Sequence, residues 1–175
     1  MPQFRRIYII GFMGSGKTTT GKKLAASLKW AFIDLDRKIE EATGKTINEI
    51  FSGSGEDYFR KIETEQLKNI DVVEDTVISV GGGTPCFSDN MHFMNKTGIV
   101  VYLRMTSGQL KSRLSPEPDI RPLLKEIGET DRYRYISEKL SEREIYYNKA
   151  SVIEDAINLN IGDLTDKLKT MMRDL

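Results

Sequence analysis

The sequence predicts an α/β fold in which helices cover both faces of a parallel sheet. Five short runs rich in isoleucine and valine have the length and composition of strands that are buried on both faces. Longer stretches with apolar residues at helical spacing separate them, and this alternation of strand and helix is typical of parallel sheets. The predicted strands are residues 7–10, 30–34, 76–80, 98–104 and 151–154.

Three amphipathic stretches between these strands predict helices. They cover Lys17–Leu28, residues 56–70 and residues 129–149, and Ser54 with Asp57 predicts a capping box before the second. The chain has 175 residues, with no repeat or interdomain linker. We therefore expect a single domain.

Composition excludes several kinds of protein. The 26 basic and 26 acidic residues balance to a net charge of 0, which argues against binding to nucleic acid or to a membrane surface. Cys86 and His92 are the only residues of their kinds, so an intrachain disulfide, a multi-cysteine zinc site and a two-histidine zinc site are excluded. No apolar run reaches the length of a secretory signal or a membrane span, and we expect a cytoplasmic protein.

The first strand is followed by the phosphate-binding pattern G-x-x-x-x-G-K-[ST], at residues 11–18. Its glycines let backbone N–H groups surround phosphate oxygens, and the N-terminus of the following helix adds a partial positive charge. We expect Lys17 to reach the β- and γ-phosphates and Thr18 to bind Mg²⁺. The pattern predicts a nucleoside triphosphate site.

Two carboxylates end the second predicted strand. Residues i and i+2 of a strand point to the same side, which places Asp34 and Asp36 together at the ligand-binding edge of the sheet. Asp34 could hold Mg²⁺ through a water, and Asp36 could accept the proton of a substrate hydroxyl. The alternative is that both acids only cap the following helix.

Two arginines with partners at helical spacing suggest a carboxylate clamp. Glu63 lies three residues after Arg60 and could aim its guanidinium at a substrate carboxylate, although a surface ion pair has the same spacing. Arg143 with Tyr147 could provide a second clamp, or could lie on a solvated face. The glycine triplet 81–83 ends the third predicted strand and permits close approach of a ligand, or forms a flexible turn.

A proline-rich segment before Arg121 predicts a surface flap. An arginine on such a flap could close over the transferred phosphate and neutralise its charge. We expect Cys86 to be a packed residue and His92 to lie at the surface, because phosphoryl transfer needs neither.

Taken in order, these motifs resemble the shikimate kinase family over about residues 7–154. The resemblance implies a P-loop nucleoside-monophosphate-kinase-like three-layer fold, with a five-stranded parallel sheet flanked by helices. It implies a substrate-binding region at about 35–62 and a lid at about 113–126. It also implies a monomeric, Mg²⁺-dependent enzyme of aromatic amino-acid biosynthesis that converts ATP and shikimate to ADP and shikimate 3-phosphate.

The resemblance also implies a role for each motif residue. The nucleotide-binding residues would be Gly14, Ser15, Gly16, Lys17, Thr18, Thr19, Arg113 and Arg121, with Arg113 near adenine. The shikimate-binding residues would be Asp36, Arg60, Gly81, Gly82, Gly83 and Arg143. Lys17, Asp36 and Arg121 would be catalytic, and Thr18 and Asp34 would serve Mg²⁺, Asp34 through water. The segment 156–160 lacks an arginine that flanks adenine in many relatives.

Three alternatives remain open at this point. A gluconate or nucleotide kinase of the same fold would share the phosphate loop. A GTP-dependent switch is disfavoured, because residues 95–98 read Asn-Lys-Thr-Gly and lack the acid that reads guanine. A shikimate-binding module without activity is disfavoured by Lys17, Asp36 and Arg121.

Overall fold

A computed structural model describes residues 6–70, 75–114 and 127–173 of the chain. Five parallel strands form one sheet in the order β2-β3-β1-β4-β5. Each agrees with its predicted strand to within one residue at either end. The strands are β1 (Arg6–Ile10), β2 (Ala31–Asp34), β3 (Thr76–Ser79), β4 (Ile99–Arg104) and β5 (Val152–Asp155).

Helices connect these strands and follow the last of them. Only α1, the second half of α3 and α6 were expected from periodicity. None of the described helices is both long and apolar enough to cross a membrane. The helices are α1 (Lys17–Leu28), α2 (Leu35–Thr43), α3 (Ile47–Lys68), α4 (Asn90–Thr97), α5 (Ser107–Leu114), α6 (Glu129–Tyr147) and α7 (Ile161–Arg173), with a 3₁₀ turn at Thr84–Cys86.

Helix α3 begins earlier than the sequence predicted. Its capping box is formed by Thr46 and Glu49, where each side chain accepts a hydrogen bond from the backbone N–H of the other. The expected box at Ser54 and Asp57 is therefore wrong. Gly55 interrupts the helix with φ 81° and ψ 173°, and this break resets the apolar spacing. The periodicity consequently detected only the part after the break.

The sheet is buried on both faces, which makes the fold three-layered. One set of strand residues, including Tyr8 and Tyr102, packs under α2 to α6. The alternate residues, including Ile9 and Val101, pack under α1 and α7. Since both faces of the sheet are apolar and covered by helices, we expect the polar functional residues to lie at the carboxyl ends of the strands.

Candidate active site

The phosphate loop connects β1 to α1, in the strand–loop–helix context that the motif requires. Gly14 and Gly16 have φ values of 80° and 88°, which side chains rarely adopt, and Gly16 is the N-cap of α1. The Lys17 ammonium donates a hydrogen bond of 3.0 Å to the Phe12 carbonyl, across the loop. Ser15, within the loop, is buried. Backbone N–H groups and the α1 N-terminus therefore form an anion-binding cradle.

Arg113 lies against this loop from α5. Its Nη1 donates to the Gly14 carbonyl at 3.3 Å, and a Cβ atom at Gly16 would lie 3.2 Å from the same nitrogen. The guanidinium is thus held beside the phosphate loop, whereas the resemblance implied a position near adenine. Arg121 and most of the expected lid lie outside the described residues.

Asp34 connects the phosphate loop to β2. The Thr18 hydroxyl donates to Asp34 Oδ2 at 2.9 Å. Asp34 Oδ1 accepts from the backbone N–H groups of Asp36 and Arg37, so it also caps α2. Asp34 therefore caps α2 as the alternative expected, but it does more than cap, because its second oxygen faces the phosphate loop.

Asp36 lies in the first turn of α2 and not on the strand. The prediction that Asp34 and Asp36 share one side of β2 is wrong, because β2 ends at Asp34. Asp36 nevertheless reaches the expected place: a Cβ atom at Gly81 would lie 3.4 Å from its Oδ1. An exposed carboxylate therefore faces the glycine triplet.

Arg60 is held firmly by neighbours on several sides. Its Nη1 donates to the buried Glu63 carboxylate at 2.8 Å, and its Nη2 and Nε donate to Glu56 at 3.1 and 3.2 Å. The Phe87 ring stacks on it, with its centroid 4.1 Å from Cζ. The side chain of Glu63 is only 1% exposed, so the surface-pair alternative is wrong for this pair.

Arg143 approaches the triplet from α6. Its guanidinium lies over the Phe12 ring, with Cζ 5.2 Å from the ring centroid. The Tyr147 hydroxyl donates to the Gly82 carbonyl, and burial raises the pKa of Tyr147 well above its ordinary value. Arg143 is half-buried and faces the site, so the alternative of a solvated face is wrong for this residue.

The glycine triplet brings these groups together. A Cβ atom at Gly83 would lie 2.5 Å from Arg60 Nη2, and one at Gly82 would lie 3.3 Å from Arg143 Nη1. The same atom at Gly82 would lie 3.3 Å from the Met13 N and 3.4 Å from the Gly11 O of the phosphate loop. The triplet is thus the meeting point of both arginines, Asp36 and the phosphate loop.

Replacing Gly83 by alanine should weaken binding of an anionic acceptor. The backbone of Gly83 (φ −88°, ψ −18°) accepts alanine, but the added methyl would have to displace the guanidinium of Arg60. We expect the acceptor KM to rise about tenfold, or ~1.4 kcal/mol. Gly108→Ala is the control, since its Cβ would meet nothing within 4 Å. Steady-state kinetics of both variants measure the acceptor KM. Equal KM values in the two variants would contradict the expected effect of the Gly83 methyl group.

The two remaining residues singled out in the sequence agree with their expected roles. Burial raises the pKa of the half-buried Cys86 thiol to about 11, although the positive charges of Arg143 and Arg60 act in the opposite direction. The thiol therefore stays protonated at neutral pH. His92 is exposed on α4.

Sequence reasoning missed several contacts around the two arginines. Phe87 and Phe12 stack on Arg60 and Arg143, and Thr84 donates to Glu63 at 2.6 Å. Thr84 follows the glycine triplet directly and Phe87 lies four residues after Gly83, which is the only signal that the sequence offers for them. Their packing against the arginines depends on the tertiary fold.

Comparison with known proteins identifies relatives along nearly the whole chain. A family model described as shikimate kinase matches residues 13–172. A curated shikimate kinase from Parabacteroides distasonis is 41% identical over 170 residues, covering 97% of this chain and 98% of the relative.

Solved structures give the same result. A shikimate kinase from Bacteroides thetaiotaomicron superposes with a TM-score of 0.86 at 39% identity, covering 96% of this chain and 98% of that one. The shikimate kinase from Acinetobacter baumannii, solved in complex with shikimate, has a TM-score of 0.84 at 32% identity, with 99% and 95% covered. These similarities, with more distant ones to nucleoside kinases, confirm the fold class that was expected.

Proposed function

The chain belongs to the shikimate kinase family, and we propose that it transfers the γ-phosphoryl group of ATP to the 3-hydroxyl of shikimate. The products are ADP and shikimate 3-phosphate, in the shikimate pathway of aromatic amino-acid biosynthesis. The contact of Gly82 with the phosphate loop carries this proposal. Through it, a site with two arginines and a carboxylate adjoins the cradle for the phosphates.

The nucleotide is held by the phosphate loop and by basic side chains around it. Gly14, Ser15 and Gly16 offer backbone N–H groups to the phosphates, followed by those of Lys17, Thr18 and Thr19 at the start of α1. The Lys17 ammonium exchanges its carbonyl partner for phosphate oxygens. Arg113 and, on the proposed lid at about 113–126, Arg121 complete the set of positive charges. These charges favour the transition state by neutralising the transferred phosphoryl group.

Mg²⁺ fits the oxygen atoms that lie beside the loop. The Thr18 hydroxyl and the Asp34 carboxylate are hard donors of the kind that Mg²⁺ prefers. Within the described residues there is no cluster of three or more histidine, cysteine or acidic side chains, as suits an ion held largely by phosphate and water oxygens. When bound, the ion would neutralise phosphate charge, with Thr18 as a direct ligand and Asp34 acting through water.

The acceptor is held at the glycine triplet. Arg60 and Arg143 bind its carboxylate, since a guanidinium fork matches two carboxylate oxygens. Gly81, Gly82 and Gly83 let the ring approach the backbone closely, and the ring hydroxyls meet Asp36. Asp36 accepts the hydroxyl proton as the oxygen attacks the γ-phosphorus. Residues 35–62, which include α2 and α3 as far as Ile62, form the proposed substrate-binding region.

A panel of acceptors tests this function directly. ADP release is measured with Mg·ATP and shikimate, gluconate, quinate, a nucleoside monophosphate, or no acceptor. We expect strong turnover with shikimate alone. Turnover with another acceptor instead would retain the phosphate-loop chemistry and overturn the roles of Asp36, Arg60 and Arg143. No turnover with any acceptor would overturn the proposed activity.

Without acceptor, we expect ATP hydrolysis to be weak. Closure of a lid would exclude water that could otherwise replace the hydroxyl, and an empty acceptor site would not favour closure. The rate without shikimate should be on the order of 1% of the full rate or less, a loss of the size that positioning effects can supply. Acceptor-independent turnover at a comparable rate would contradict this expectation.

The same proposal includes a monomer that acts in the cytoplasm without nucleic-acid or membrane partners. The balanced net charge of 0 supports the absence of nucleic-acid and membrane-surface partners, and membership of a family whose resemblance implied a monomer supports the oligomeric state. Sedimentation equilibrium tests the monomer.

A further inference from the structure

Thr84 is buried at the start of the 3₁₀ turn that follows the glycine triplet. Its hydroxyl donates a hydrogen bond of 2.6 Å to Oε1 of Glu63. The other oxygen of the same carboxylate, Oε2, accepts from Arg60 Nη1 at 2.8 Å. Both oxygens of a buried carboxylate thus have donors, and a continuous chain of contacts joins the turn to the guanidinium.

A second hydrogen-bond bridge holds the turn against α3. The buried amide of Asn90 donates to the Thr84 carbonyl at 3.0 Å and to the hydroxyl of Thr64 at 3.1 Å. Thr64 is the neighbour of Glu63 on α3. Because both residues of this pair are tied to the turn, Thr84 has little freedom to move away from the Glu63 carboxylate.

The hydrogen bond between Thr84 and Glu63 also lies directly against the glycine triplet. A Cβ atom at Gly81 would lie 2.9 Å from Glu63 Oε1 and 3.0 Å from Thr84 Oγ1. Any side chain at Gly81 would therefore press on this bond. The hydrogen bond between Thr84 and Glu63 therefore borders both the part of the site next to Asp36 and the part that holds Arg60.

Glu63 competes with Glu56 for the same guanidinium. Glu56 takes Nε and Nη2 of Arg60 and is 55% exposed, whereas Glu63 is buried. If the Glu63 carboxylate rotated, it would lose its hold on Nη1, and Arg60 could follow Glu56 toward solvent. The Thr84 hydroxyl prevents that rotation, because a buried carboxylate oxygen is costly to leave without a donor.

We propose that Thr84 is a positioning residue, which fixes the Glu63 carboxylate and thereby aims Arg60 at the carboxylate of the acceptor. The proposal rests on the proposed function of Arg60 as a clamp for shikimate. In addition, the orientation of the Arg60 guanidinium depends on the Thr84 hydroxyl, which does not contact the acceptor.

Replacing Thr84 by valine tests this role, since valine keeps the shape and removes the hydroxyl. We expect the KM for shikimate to rise about tenfold, or ~1.4 kcal/mol. The kcat and the KM for ATP should change less than about twofold, because only the clamp is affected. Thr84→Ser keeps the hydroxyl and should return the shikimate KM to within about threefold of the wild-type value. An unchanged KM in Thr84→Val, or an equal loss of ATP binding, would overturn the proposal.

Thr165→Val is the matched control for lost stability. Thr165 is also buried, in the opposite layer, where its hydroxyl donates to the Ile161 carbonyl and shares a second hydrogen bond with the Ser27 hydroxyl. We expect a lower melting temperature with an unchanged shikimate KM. If this control raised the shikimate KM as Thr84→Val does, a general loss of stability would explain both and the proposal would fail. Should Thr84→Val not fold, Thr84→Cys takes its place, since a thiol is only a weak donor.

A double substitution separates this proposal from the function on which it rests. In an Arg60→Ala background, Thr84→Val should change the shikimate KM less than about twofold, because the group that Thr84 aims is gone. A full tenfold effect in that background would show that Thr84 does not act through Arg60. If Arg60→Ala alone left the shikimate KM unchanged, the proposed clamp itself would be wrong.

Discussion

Replacing Asp36 by asparagine is expected to lower kcat by at least ~100-fold, the smaller end of the loss for a removed general base. Asparagine has the same shape and still accepts hydrogen bonds, so shikimate should bind with a similar KM. It cannot take the hydroxyl proton, and this is the step that the Asp36 carboxylate is proposed to perform beside Gly81. Initial rates at saturating ATP and shikimate measure the effect.

Asp163→Asn is the matched control for Asp36→Asn. Asp163 also lies exposed in the first turn of a helix, α7, but in the opposite layer of the fold. Both substitutions remove a negative charge near a helix N-terminus, which changes stability by similar amounts. We expect the control to keep the wild-type kcat. Near-normal turnover of Asp36→Asn would show that Asp36 only orients the hydroxyl.

Replacing Arg60 by alanine is expected to raise the shikimate KM about 30- to 100-fold, a loss typical of truncating one partner of a buried charged pair. The substitution removes the fork that binds the carboxylate and leaves Glu63 buried without its positive partner. The ATP KM should change little, since Arg60 lies on α3 and no described contact joins it to the phosphate loop. Separate titrations of each substrate provide the test.

Arg134→Ala is the control for the loss of a positive charge. Arg134 is 79% exposed and pairs with Glu138 in the next turn of α6, so its removal should leave both KM values unchanged. An Arg60→Ala variant that lost ATP and shikimate affinity equally would refute the division between the two sites. Arg60→Lys should recover only part of the binding, because lysine lacks the fork.

Local patterns were sufficient to predict the sheet and the phosphate loop. Strands such as β4 are buried on both faces and are therefore continuous apolar runs, and the loop is defined by eight consecutive residues. The patterns failed where a neighbour in sequence changes the local structure. Gly55 broke the periodicity of α3, and the cap formed by Asp34 started α2 one residue before Asp36.

The surroundings of the arginines could not be predicted from spacing. The spacing of Arg60 and Glu63 is the same for a surface pair and a buried one, and only tertiary packing decides between them. Burial of Glu63 comes from the turn after β3, more than fifteen residues away along the chain. The sequence indicated that the glycine triplet permits close contact with another group. It did not indicate that the groups in contact are Arg60, Arg143 and the phosphate loop.

The pairing of β1 with β3 has a consequence for how donor and acceptor are aligned. The phosphate loop leaves the end of β1, the glycine triplet leaves the end of β3, and these strands are adjacent, with Ile9 opposite Ser79. A slip of one residue in this pairing would shift the triplet along the phosphate loop by ~3.3 Å, the rise of one strand residue. Misplacement by ~1 Å can already reduce a rate about 100-fold. The backbone hydrogen bonds between β1 and β3 thus fix the distance between the phosphate loop and the glycine triplet. An insertion or deletion within either strand should abolish phosphoryl transfer even where both substrates still bind.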